Sequence, residues 1–171
     1  MRLALVMLML SVPAALSAQG PERSAERPVR FATITVGTGN ALGWLGLQGE
    51  RYWARDRVST FLGVGYTPEI DPGDPSGPTF AAGIRGFTPG FKHRGFLELS
   101  LSQLALVYGP PEERRRLYGP GLQAGYQFVS GGGFTAMLSL GLGYAPGVPE
   151  GESEVGGMGG LSLGYTWRRH H

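Results

Sequence analysis

Between Phe134 and Tyr144 the chain alternates without a break. Phe134, Ala136, Leu138, Leu140, Leu142 and Tyr144 share one parity; Thr135, Met137, Ser139, Gly141 and Gly143 share the other. Successive side chains of a strand point to opposite faces, so this segment has one apolar face and one small, polar face. An aromatic bounds the apolar face at each end. That is the pattern of a strand crossing a bilayer, with aromatics at the two water interfaces.

The same reading along the chain gives eight candidate strands: Arg30–Thr38, Gly43–Ala54, Val58–Glu69, Thr79–Thr88, Gly95–Tyr108, Tyr118–Ser130, Phe134–Ala145 and Gly156–Trp167. Most run to about 10–14 residues, whereas soluble strands average nearer 5 or 6 and a tilted transmembrane strand needs about 9–11. The connections Asp56-Arg57, Pro89–Arg94 and Gly131–Gly133 are short. Ile70–Pro78, Gly109–Leu117 and Pro146–Val155 are longer and rich in Pro, Gly and charge. Apart from the brief Gly39–Leu42, short and long connections alternate. A barrel with short periplasmic turns, longer outer loops and both ends inside has this order. An even strand count lets such a sheet close and lose its edges.

Parity assigns faces. Outward sets include Ala32, Ile34, Val36, Leu45, Leu47, Leu62, Val64, Phe80, Ile84, Leu97, Leu99, Leu101, Ala105, Val107, Leu122, Leu161 and Leu163. Trp53, Tyr66, Phe134, Tyr144, Tyr165 and Trp167 are the expected interfacial aromatics. The inward complement holds Thr33, Thr35, Gln48, Glu50, Gly63, Gly65, Arg85, Glu98, Ser100, Ser102, Gln123, Gln127, Ser139 and Ser162. The competing reading is a soluble barrel or sandwich with its apolar face inside, such as a lipocalin-like periplasmic barrel. Strand length and the aromatic ends favour the membrane. Arg51 and Gln103 resist the scheme, since both fall on the outward parity. Near an interface an outward arginine costs only about 0–1 kcal/mol, because it can snorkel to water.

Thirty glycines lie within apolar alternation rather than in a periodic repeat. Glycine weakens a strand, so a packing reason is expected, and a narrow barrel that needs small inward residues supplies one. There is no cysteine, so disulfides contribute nothing to stability. The net charge of +2 is dispersed in turns and forms no basic stripe interleaved with aromatics, which excludes a nucleic-acid partner. Arg2, the apolar Leu3–Leu10, Pro13 and small residues up to Ala18 read as a signal peptide over 1–18. A flexible lead-in is expected over 19–29, the barrel over 30–167 and a short tail over 168–171.

Inside the barrel the sharpest expectation concerns Arg85 and Glu98. If Thr88 stands opposite Gly95 in the hairpin of the fourth and fifth strands, Arg85 stands opposite Glu98, both facing the lumen within side-chain reach. Glu50 on the second strand is placed to join them. Buried charges are tolerable when paired, so the three read as a structural polar plug, with a proton path or gated pore as the functional alternative. No enzyme signature accompanies them. His93 falls in a turn and His170 and His171 in the tail, and none lies beside a serine at the outer rim. Asp71, Asp74, Glu112, Glu113, Glu150, Glu152 and Glu154 lack the spacing of a calcium loop. Arg114, Arg115 and Arg116 follow acids and read as a charged loop. Neither a cofactor nor a metal is expected.

Three stretches, LGLQGERYWARDRVSTFLGVGY, FLELSLSQLALVYGP and YGPGLQAGYQFVSGGGFTAMLSLGLGY, together with LSLGYTW, resemble the small eight-stranded outer-membrane β-barrel proteins of Gram-negative-type bacteria, with OmpA- or OmpX-like barrels. The resemblance implies an all-β, eight-stranded, antiparallel up-and-down transmembrane barrel in the outer membrane, without enzymatic activity. It implies outer-membrane lipid and the barrel-assembly machinery as partners, and a monomer. In that family the last strand commonly ends the protein on an aromatic residue. Trp167 matches it, but four residues follow. The expected role is envelope structure or surface interaction; the alternative is binding or transport of a small solute or lipid.

Overall fold

A computed structural model describes residues 29–39, 42–69, 76–107, 115–146 and 153–169. The signal peptide and most of the lead-in expected from the sequence lie outside these residues. So do Asp71, Asp74, Glu112, Glu113, Arg114, Glu150, Glu152, His170 and His171.

Eight strands follow in chain order: β1 Val29–Gly39, β2 Gly43–Trp53, β3 Val58–Thr67, β4 Gly77–Phe87, β5 His93–Val107, β6 Arg115–Val129, β7 Phe134–Tyr144 and β8 Val155–Arg169. Each pairs antiparallel with its neighbour in sequence, and β8 returns to β1, so the sheet is a closed up-and-down barrel. No edge is left unpaired, which removes the row of free backbone groups an open sheet exposes. The start of β1 and the end of β8 lie at the end that carries the short turns, here the turn end; the longer connections lie at the loop end.

The faces follow the alternation. Leu47, Leu62, Val64, Ile84, Leu97, Leu99, Leu122, Leu138, Leu140, Leu142 and Leu161 are all exposed on the outer wall. Thr33, Thr35, Gln48, Glu50, Ser59, Thr79, Arg85, Glu98, Ser102, Gln123, Gln127 and Thr166 are buried within. The polarity is thus inverted relative to a water-soluble barrel.

Three departures from regular pairing matter. A register shift between Arg30 and Ala32 against β8 makes Phe31 an extra residue, so Arg30 turns inward while Ala32 stays outward. A second shift between Gly43 and Leu45 sets both opposite Tyr66 and leaves Trp44 and Leu45 exposed together. The third, between Gln103 and Ala105, lies where the long β5–β6 ribbon continues toward the loop end. At the turn end, β8 continues through Arg168 and Arg169, which pair with Arg30 and Val29. The strand therefore runs two residues beyond Trp167, into the expected tail, because β1 begins early enough to hold it.

The inward glycines have a further packing role: two of them give space to large side chains that face them on the neighbouring strand. A Cβ on Gly125 would stand 2.2 Å from the Phe96 ring, and one on Gly83 2.7 Å from the Phe61 ring. Phe61, Phe87, Phe96, Tyr52 and Met137 are all buried inside the barrel. Gly133 has two reasons to lack a side chain: its φ is +94°, and a Cβ would meet the Tyr165 ring at 2.7 Å. It closes the β6–β7 turn by donating its N–H to Ser130 O at 3.1 Å.

Candidate functional site

Hairpin β4–β5 sets the centre of the lumen. Thr88 N donates to Gly95 O at 3.0 Å, and counting back along the ladder puts Arg85 opposite Glu98. Arg85 Nε donates to Glu98 Oε2 at 2.6 Å, and Nη2 donates to Gln48 Oε1 at 3.2 Å. Arg85 Nη1 stands 3.3 Å from Glu50 Oε1. The structure therefore brings Glu50, Arg85 and Glu98 together, each 5% exposed or less. The Arg85 guanidinium also lies over the Phe61 ring, 4.2 Å from its centroid. Ring faces carry partial negative charge, so they contribute to holding a desolvated cation.

The carboxylates are completed by neutral donors. Tyr52 OH donates to Glu50 Oε2 at 2.8 Å, and Ser59 Oγ donates to Glu50 Oε1. Gln123 Nε2 donates to Glu98 Oε1 at 2.9 Å, while its own carbonyl accepts from Ser139 Oγ at 3.0 Å. From Tyr52 the network runs toward the turn end. Its hydroxyl lies 3.0 Å from Thr33 Oγ1 and accepts from Gln127 Nε2 at 3.0 Å. Thr33, Thr166 and Thr135 follow in a chain with 2.6 Å spacings.

A second arginine layer, which parity alone reveals only in part, closes the turn end. Arg94 donates from Nε to Gln127 Oε1 at 2.6 Å and from Nη1 to Asp56 O at 2.7 Å. Its guanidinium lies 3.5 Å from the Phe87 centroid. Arg30 pairs with Asp56 at 2.8 Å and also donates to Phe91 O. Arg168 donates to Gly131 O at 3.1 Å and Ser130 O at 2.5 Å. Three guanidiniums thus hold the β2–β3, β4–β5 and β6–β7 turns by their carbonyls. The sequence reading puts Arg94 in a turn, but β5 begins two residues earlier than expected, and position 94 shares the inward parity of Phe96 and Glu98. Nothing in the sequence signals the bulge that turns Arg30 inward.

At the loop end, Leu42 folds inward and is buried, its N–H donating to Gly39 O at 2.9 Å. Between Leu42 and the Arg85 cluster, the lumen leaves a cavity of about 30 Å³. One water needs about 10–15 Å³ on the same measure, so the space suits a couple of waters and no larger solute.

The expected interfacial aromatics fall at both ends of the outer wall. Trp53, Phe134, Tyr165 and Trp167 stand toward the turn end, Tyr66 and Tyr144 toward the loop end, and all six are exposed. Tyr165 and Trp167 meet edge to face with centroids 5.1 Å apart. Trp44, exposed beside its bulge, escapes the sequence reading because the bulge breaks the parity. His93 opens β5 on the outer wall, in contact with Tyr126 OH and beside the Phe128 ring. Among the described residues no group of three or more His, Asp or Glu is placed to hold a metal.

No family model matches the chain, and neither does any curated protein. Among solved structures, the N-terminal β-barrel domain of Pseudomonas aeruginosa OprF is similar, with a TM-score of 0.54 and 17% identity. The match covers 82% of this chain and all of that domain. The shared property is the fold, a closed eight-stranded β-barrel.

Proposed function

We propose that this protein is a non-enzymatic transmembrane β-barrel of a bacterial outer membrane, with a lumen plugged by side chains, serving envelope structure or surface interaction. The observation that carries this reading is the inverted polarity. The outer wall presents leucine, isoleucine and valine over the height of strands 10–15 residues long, while the interior is lined by hydroxyl, amide and charged groups. Water penalises such a wall and a bilayer rewards it, and only a closed sheet satisfies its backbone in lipid. The soluble, lipocalin-like reading needs the opposite arrangement. The likeness to an outer-membrane barrel domain supports the same location. In this reading the short turns lie in the periplasm, lipid surrounds a monomer, and the barrel-assembly machinery inserts it.

The small lumen space and the two arginine layers support a plug over a solute path. Flotation with phospholipid vesicles, combined with gel mobility before and after boiling, tests the reading. A lipid-inserted closed barrel floats with the vesicles and migrates faster unboiled. A folded protein that stays soluble without detergent and does not float contradicts it. Planar-bilayer recording tests the plug: absence of stable channels supports it, and stable channels altered by Arg85→Ala overturn it.

A further inference from the structure

The outer wall carries two arginines that the lumen network does not use. The guanidinium carbon of Arg51 lies 3.5 Å from the Phe31 ring centroid, and that of Arg169 lies 3.7 Å from the same centroid. Two cations this close to one ring centroid cannot share a face, so Phe31 is sandwiched between them. The ring stabilises each by a cation–π contact, but nothing in this triad cancels their mutual repulsion. Among the described residues neither forms an ion pair with a carboxylate. An anion is the missing partner.

Position and shape name its class. Arg51 stands at the rim of an outer-wall groove of about 820 Å³, bordered by Trp167. The groove is floored by Ala32, Gly49 and Ala82 and walled by Leu62 and Ile84. A Cβ on Gly49 would meet nothing within 4 Å, so the depression is open. The register explains it: Ile34 and Leu62 flank Gly49, and Ala32 and Thr60 flank Arg51, so small and large residues alternate around the wall. The groove lies within the usual range for ligand sites, about 300–1,000 Å³, but its lining is almost wholly apolar with one charged end. A lipid has this polarity: an acyl chain for the groove and a phosphate for the guanidiniums. The neighbouring Trp53 and Trp167 belong to the aromatic level at which headgroups lie.

We infer that Arg51 and Arg169, set on either side of Phe31, form a binding site for one anionic glycerophospholipid of the leaflet at the turn end, with an acyl chain in the adjoining groove. The phosphate lies beyond the ring edge, where both guanidiniums reach it. This inference rests on the transmembrane reading above.

The test uses the full folded barrel in vesicles of phosphatidylcholine and phosphatidylglycerol in equal parts, released into detergent and weighed intact by native mass spectrometry. The protein retains one phosphatidylglycerol in preference to phosphatidylcholine. Arg51→Gln with Arg169→Gln reduces that retention by about 25-fold, since each cation near a headgroup contributes roughly a factor of five. Gly49→Leu, which fills the groove and leaves both charges, also reduces retention. Equal retention of the two lipids by the unaltered protein overturns the site, as does undiminished phosphatidylglycerol retention in the double variant. Undiminished retention in Gly49→Leu alone overturns the acyl groove. Flotation and heat-modifiable mobility of each variant separate the two readings. A barrel that inserts but shows no lipid preference removes the site alone, whereas one that never inserts removes both.

Discussion

Arg85 is the residue on which the lumen turns, because its single guanidinium faces two carboxylates from two other strands. Removing one member of a buried charge set costs about 3–5 kcal/mol, since the others remain desolvated and unpaired. Arg85→Ala is therefore expected to lower the stability read from urea unfolding of the barrel by that amount, and an unchanged midpoint indicates a wet lumen. The Arg85–Glu98 juxtaposition was legible because a hairpin converts sequence distance into spatial register. Glu50 was legible by parity. Tyr52, Gln48 and Ser59, which complete the polar shell, share the inward parity, but parity does not say which side chains meet across a lumen. Backbone strain also resides at single residues. Ala54, Arg55 and Asp56 adopt φ of 46°, 53° and 62° in succession, a left-handed run that costs a non-glycine residue about 1–2 kcal/mol each. The Arg30 and Arg94 bonds to Asp56 help hold that turn. Arg55→Gly relieves one residue without touching either bond, and is expected to stabilise the barrel by about 1 kcal/mol in urea unfolding.

At the scale of the strand, glycine has two distinct meanings here. Gly125 and Gly83 face inward and give space to Phe96 and Phe61, whereas Gly49 and Gly86 face outward, where an added methyl would touch nothing. Gly125→Val is expected to destabilise the barrel by about 1–3 kcal/mol or to prevent folding, as overpacking does. Gly86→Val is expected to be nearly neutral; equal urea midpoints for the two variants contradict this division. The strands themselves were legible wherever alternation is unbroken, and β7 spans Phe134–Tyr144, the segment in which the alternation is clearest. Strand ends were less so. His93 and Arg94 read as turn residues because charge near proline and glycine resembles a loop. Arg168 and Arg169 read as a tail because a charged run follows the last aromatic, yet both pair with β1. The bulges at Phe31 and Trp44 have no counterpart in composition, since an extra residue is visible only against the partner strand.

For the molecule as a whole, strand count, antiparallel order and closure follow from eight alternating segments joined by short and long connections in turn. Closure then forces every inward side chain into one shared space, and that is where pattern reading stops: the aromatic filling and the arginine ties depend on which residues meet across the lumen. In the proposed membrane arrangement the leucine-rich outer wall faces lipid while the hydrogen-bond network faces the lumen. The chain has no cysteine, so single substitutions give clean labelling sites. Leu62→Cys and Leu140→Cys, both on the outer wall, and Ser130→Cys, in the β6–β7 turn, can each carry an environment-sensitive fluorophore in the vesicle-reconstituted protein. A lipid-facing wall gives blue-shifted emission at positions 62 and 140, quenched by lipid-borne quenchers, and water-like emission at position 130. Water-like emission at both leucine positions in a folded, heat-modifiable protein contradicts it.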